Sequence, residues 1–248
     1  ISESSDAIDK GQNDKRQYRW LRLTNGLQVM LVSDATCDYA SAAMDVGVGS
    51  SSDPDSLPGL AHLCEHMLFL GTDKYPNEDE YTTYLERHGG ESNAFTAHED
   101  THYFFDVQQR YLRGALDRFA QFFLCPRFTE DATERELKAV DSEFNKNKLN
   151  DAWRVQQVSR LLADPRHPWS RFDAGNLSTL SDLPAVSALK LNDAPVASEG
   201  SLRNALLRFH STHYSASRMS LAVLGRESLD ALQQLVVPLF APVQTHAP

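Results

Sequence analysis

From Tyr18 the chain alternates apolar and polar residues in two short runs, YRWLRLT (18–24) and LQVMLVSD (27–34), joined by Asn25-Gly26. Alternation at period two is the mark of a half-buried strand, and Asn-Gly between two such runs predicts a tight hairpin. A third strand-like run, YASAAMDVGVGS (39–50), ends in a Gly/Ser-rich turn. The pattern then changes. GLAHLCEHMLFLG (59–71) is apolar almost all round and reads as a buried helix starting after Pro58-Gly59 and stopped by Gly71. NEDEYTTYLERHGG (77–90) reads as a capped helix closed by two glycines. ESNAFTA (91–97) and THYFFDV (101–107) alternate as strands do, and YLRGALDRFAQFFL (111–124) is an amphipathic helix. A second long helix is expected from about Asp131 past Asn150. Polar, proline-punctuated sequence follows, within which PAVSALKLNDAPVASEG (184–200) has the composition of an inserted surface loop. A helix over 201–213, the strand RMSLAVLG (218–225) and a helix near 228–239 complete the pattern.

Hairpins first and helices interspersed later predict an α+β fold, with a mainly antiparallel sheet of about six strands covered by helices. The expected layout is a disordered lead-in over 1–16, one domain over 17–242 and the start of a linker at 243–248. Charge narrows the function. Thirty-four acidic residues against 24 basic ones give a formal net charge of -10, which disfavours nucleic acid as a partner. No run approaches the roughly 20 apolar residues of a membrane span, so no membrane partner is expected. Three scattered cysteines, Cys37, Cys64 and Cys125, argue against a disulfide framework and for a reducing compartment. The polar start matches neither a signal nor a transit peptide. It also lacks an initiator Met, so the expected site is the cytoplasm, or an organelle if an upstream presequence was removed.

Two short motifs could hold a metal. HEDTH (98–102) has the form H-E-x-x-H, in which two histidines bind zinc and a glutamate serves as base. That chemistry needs a helix, because residues four apart share a face only there. On strands His98 and His102 would stand about 13 Å apart, too far for one ion. The flanking alternation makes this segment a turn between strands. HLCEH (62–66) is the inverted form, H-x-x-E-H, and it lies on the apolar helix. There His62, Glu65 and His66 share one stripe of a buried element, where polar groups must be satisfied. Zinc would do so, with both imidazoles as ligands and Glu65 as general base. Backbone carbonyls accepting from two core histidines would do so as well.

A catalytic zinc takes a third protein ligand and keeps an open position. The long helix offers Glu136 and Glu143, seven residues apart on one face, with Glu143 77 positions after His66. Here the chain resembles the pitrilysin-type (M16) metallopeptidase family, and within it the insulysin branch. The likeness is carried by GLAHLCEHMLFLGT, SNAFTA, ALDRFAQFFLCP, AVDSE, NDAWR and VLGRESLD, and covers the chain from Tyr18 to Phe240. It implies one Zn2+ per domain, held by His62, His66 and Glu143, with Glu65 as catalytic base and Glu136 orienting a histidine ligand. A solvated helix glutamate is the other reading of Glu136. SNAFTA resembles the family's edge strand for extended peptide substrates, with Asn93 and the backbone of Ala94 near the scissile bond. Phe69, Phe95 and Trp153 would line side-chain pockets, or belong to the ordinary core. The resemblance further implies small unfolded peptides of insulin-like and amyloidogenic size as substrates. It also implies a partner in the C-terminal half of a longer protein, a homo-oligomer in that full-length form, and little activity for the isolated domain. The rival expectation is a non-catalytic scaffold or peptide-binding domain of the same fold.

Overall fold

A computed structural model describes residues 1–181 and 201–246; the run 184–200, expected as a surface loop, lies outside the described residues. Among the described residues seven strands form one sheet in the order β1-β2-β3-β7-β4-β6-β5. They are β1 (Glu3–Ser5), β2 (Gln17–Arg22), β3 (Gln28–Ser33), β4 (Tyr39–Val46), β5 (Ser92–Thr96), β6 (Thr101–Gln108) and β7 (Met219–Gly225). The expected hairpin joins β2 to β3. Gly26 takes φ +90°, a conformation open to glycine, while the Asn25 side-chain oxygen accepts from the Leu27 amide and its amide group donates to the Phe240 carbonyl. Every pairing is antiparallel except β3 with β7; Val223 of β7 lies opposite Leu31 of β3 on one side and Ala42 of β4 on the other.

One face of the sheet makes the core. Alternate residues such as Leu21, Leu31, Met44, Tyr103 and Val223 are at most 1% exposed. Helices α1 (Leu60–Leu68), α3 (Leu112–Leu124) and the helix Leu229–Phe240 pack against the sheet. Truncating one of these leucines to alanine would cost about 2–5 kcal/mol, because a packed interior cannot close the cavity. Among the described residues no helix is long and apolar enough to cross a membrane.

Two expectations are corrected. The lead-in was expected to be disordered, yet β1 pairs with β2, with Ser4 opposite Leu21. Its reason is the unpaired backbone edge of β2, which a polar segment can satisfy without apolar anchors. Arg19 then ties the lead-in down through Asp6, at 2.7 Å. Second, the long helix is two: α4 (Glu130–Asn147) and α5 (Asp151–Leu161). The break comes where Asn150 turns to extended backbone and its side chain caps α5 by accepting from the Ala152 amide at 2.9 Å. Residues 243–246, at the expected start of the linker, pack on the domain, with Val243 2% exposed and the Gln244 carbonyl accepting from the Ala216 amide. The helix expected at 77–90 is shorter, α2 (Glu80–Arg87), and its N-cap Asp79 makes no side-chain capping bond.

Candidate active site

Helix α1 starts from Gly59, whose φ of +96° sets the chain entering the helix. A side chain there would also strike the backbone of Gly175, 2.2 Å from the built Cβ. Its buried residues, Leu60, Ala61, Leu63, Cys64, Met67 and Leu68 with Glu65, surround the helix. One turn apart, His62 and His66 bring their Nε2 atoms to 3.3 Å. Helix α4 crosses α1 and delivers Glu143, whose Oε2 lies 3.7 Å from His62 Nε2 and 3.6 Å from His66 Nε2. Three donors in a tetrahedron around one zinc, each at about 2.0–2.1 Å, stand roughly 3.3 Å from one another. Two imidazoles and a carboxylate at these separations fit that ion.

The outer nitrogens are committed. His66 Nδ1 donates to Glu136 Oε2 at 3.1 Å, and His62 Nδ1 donates to the Ala174 carbonyl at 2.7 Å. With Nδ1 occupied, each Nε2 offers a lone pair to the centre. Burial opposes charge on His66, but hydrogen bonds with Glu136 and Glu143 outweigh it and raise the imidazole to about 9. The bond from His66 in turn holds Glu143 below the usual carboxylate range, against the opposing pull of burial. A proton on His66 and a cation at the centre therefore compete for one nitrogen.

Glu65 is 7% exposed, and its Oε2 accepts from the Thr96 hydroxyl at 2.6 Å. That contact joins α1 to β5, an edge strand of the sheet. Two cavities, about 490 and 700 Å³, open on either side, and His62, Thr96, Glu143 and Trp153 line both. Asn93, Ala94, Phe95 and Phe69 line the larger one. Their environments differ. Phe95 is 51% exposed and stacks on His102 at 4.6 Å, whereas Phe69 packs in the core against Phe122 at 5.1 Å. Trp153, 43% exposed on α5, has no such core packing. Cys64 lies between His62 and His66 in sequence yet is fully buried, and burial pushes its thiol up to about 12.

HEDTH lies on a β5–β6 hairpin, as its alternation implies. Its Ala97 amide donates to the Asp100 carbonyl at 2.8 Å; His98 meets the Trp169 ring, and His102 stands on β6 beside Asp45 and Asp100. Sequence reasoning missed two groups, the Thr96 hydroxyl and the Ala174 carbonyl. Thr96 closes the SNAFT strand, next to Phe95. A backbone carbonyl carries no sequence signal.

The chain matches the family model described as Insulinase (Peptidase family M16) over residues 28–166, more than half its length, and the model of the Peptidase M16 inactive domain over 201–248. It belongs to peptidase family M16. Among M16 relatives, it is 52% identical over 244 residues to the insulin-degrading enzyme of Mus musculus, and 47% identical over 234 residues to a putative zinc protease of Schizosaccharomyces pombe. These alignments cover 98% and 94% of this chain but 23% of each relative, so the chain spans about a quarter of their length. The crystal structure of pitrilysin superposes with a TM-score of 0.89 at 36% identity, over 98% of this chain and 24% of that one.

Proposed function

We propose that this chain is the catalytic domain of a zinc-dependent endopeptidase that hydrolyses small, extended peptides. The observation carrying this reading is the meeting of His62 Nε2, His66 Nε2 and Glu143 Oε2 within 3.7 Å of one another, one helical turn from a buried glutamate. A zinc ion held by these three would supply a Lewis acid and lower the pKa of water toward neutrality. Glu65 takes a proton from the attacking water and returns it to the leaving amine. Thr96, by donating to one carboxylate oxygen, leaves the other free for that transfer. Glu136 holds His66 in the tautomer that faces inward.

Substrate is gripped by its backbone. β5 is an edge strand, so an extended peptide can add to it through main-chain hydrogen bonds beside Asn93 and Ala94. Such pairing reads little sequence, and Phe95, Phe69 and Trp153 add apolar contacts on the cavity walls. Oxyanion donors are to come from the C-terminal half of a longer, oligomeric protein, so the isolated chain has little activity of its own. The setting that suits its cysteines is the cytoplasm, or an organelle reached through an upstream presequence.

Glu65→Gln in an active full-length form tests the reading. Peptide hydrolysis should fall by about 10²–10⁴-fold while zinc content, measured by elemental analysis, stays at one per chain. Undiminished hydrolysis would remove Glu65 from the mechanism, and unchanged cellular function would favour a scaffold role.

A further inference from the structure

The segment 169–176 reaches the metal centre through its backbone, at the Ala174 carbonyl that accepts from His62. The residues leading up to that carbonyl are held by a charged side chain the mechanism does not use. Arg160, on α5, is 2% exposed. Its Nη1 donates to the carbonyls of Trp169 at 3.1 Å and Arg171 at 3.4 Å, and its Nη2 pairs with Asp173, the neighbour of Ala174. The guanidinium also stands 4.3 Å from the centre of the Trp169 ring. On the far side of Ala174, Gly175 is pressed against the backbone of Gly59; on the near side Arg171 also donates to the Asp53 carbonyl. The carbonyl thus sits between two fixed points. Asp53, 4% exposed, fastens the helix itself by accepting from the Gly59 and Ala61 amides at 2.7 Å each.

A buried ion pair is a poor way to gain stability, because desolvation offsets most of the attraction and apolar side chains serve as well. What the guanidinium offers is a rigid fork that satisfies two carbonyls and a carboxylate together. We propose that the Arg160–Asp173 pair is a positioning device for His62: it fixes the Ala174 carbonyl, which decides which imidazole nitrogen faces Glu143 and His66. This rests on the zinc reading given above. If the segment drifts, His62 can turn or carry its proton on Nε2, and the centre loses a donor without losing a ligand residue.

The test is zinc affinity of the 248-residue chain, measured by chelator competition, beside the urea unfolding midpoint. Arg160→Met should weaken zinc binding about 10–100-fold, the range typical of groups that orient a ligand. Arg160→Lys should recover part of that loss. The double variant Arg160→Met/Asp173→Leu, which leaves no unpaired buried charge, should regain the midpoint but not the affinity. Arg118→Met, which breaks a comparable pair with Glu80 outside both cavities, should lower the midpoint and leave affinity within about twofold. The proposal is overturned if Arg160→Met binds zinc as the parent does, if the double variant regains affinity with stability, or if Arg118→Met loses as much affinity. Should Arg160→Met fail to fold, the lysine and double variants decide. A parent chain that takes up no zinc overturns the zinc reading and this proposal together; a parent that binds while Arg160→Met is unaffected overturns this proposal alone.

Discussion

Two pentapeptides that each hold two histidines and a glutamate, HLCEH and HEDTH, lie 36 residues apart and come to opposite ends. On α1 the imidazoles meet at 3.3 Å, each with its outer nitrogen engaged. On the β5–β6 hairpin one histidine leans on Trp169 while the other stands among Asp45, Asp100 and Phe95. Both hold two histidines and a glutamate; the period of the backbone decided. A helix stacks positions four apart, and a strand or turn spreads them.

The contrast can be broken most directly by exchanging its terms. His66→Ala should abolish stoichiometric zinc, and His102→Ala should leave one zinc per chain by elemental analysis. Retention of zinc by the first, or its loss from the second, would invert the assignment. A histidine of a third kind sharpens the comparison. His210 binds no partner at either motif; burial drives its imidazole down to about 4, although its Nε2 donates to the Phe122 carbonyl. The unfolded chain protonates near 6.5 and the folded chain only near 4, so stability should fall as pH drops through that window. The loss should reach roughly 2–3 kcal/mol at pH 4.5, read as a shallower acid dependence of urea unfolding in His210→Gln. A parallel dependence in both proteins would show that burial of this ring is not what titrates. The smallest effect concerns the carboxylate behind His66. Glu136→Gln should weaken zinc binding by about tenfold or somewhat more, since the amide can still accept from Nδ1 but brings no charge. An unchanged affinity would return Glu136 to the status of a surface glutamate.

Much of the site was legible because it depends on local period. The all-apolar setting of HLCEH announced a buried helix, and the seven-residue spacing of Glu136 and Glu143 announced one face. What escaped was of other kinds. The break between α4 and α5 is hidden because apolar residues such as Val155 and Val158 continue beyond it, exposed to solvent, and mimic a longer helix. Only the cap at Asn150 marks it. β1 pairs through its backbone, so its side chains say little. The hold on His62 comes from a carbonyl, and the arginine behind it sits on a helix whose composition suggests a solvated surface. The parallel partnership of β3 with β7 joins residues nearly two hundred positions apart, beyond the reach of any local pattern.

That partnership has a consequence for how the molecule is made. During synthesis β2, β3, β4, β6 and β5 all leave the ribosome well before β7, yet β7 lies between β3 and β4. Until Gly225 has emerged, the nascent chain holds two separate hairpin systems with unsatisfied central edges, and the histidine helix packs on the β5 side. Closure waits for the last strand, so a prematurely terminated product is left with an open seam through its middle, the kind of exposed edge that chaperones cover and aggregates recruit.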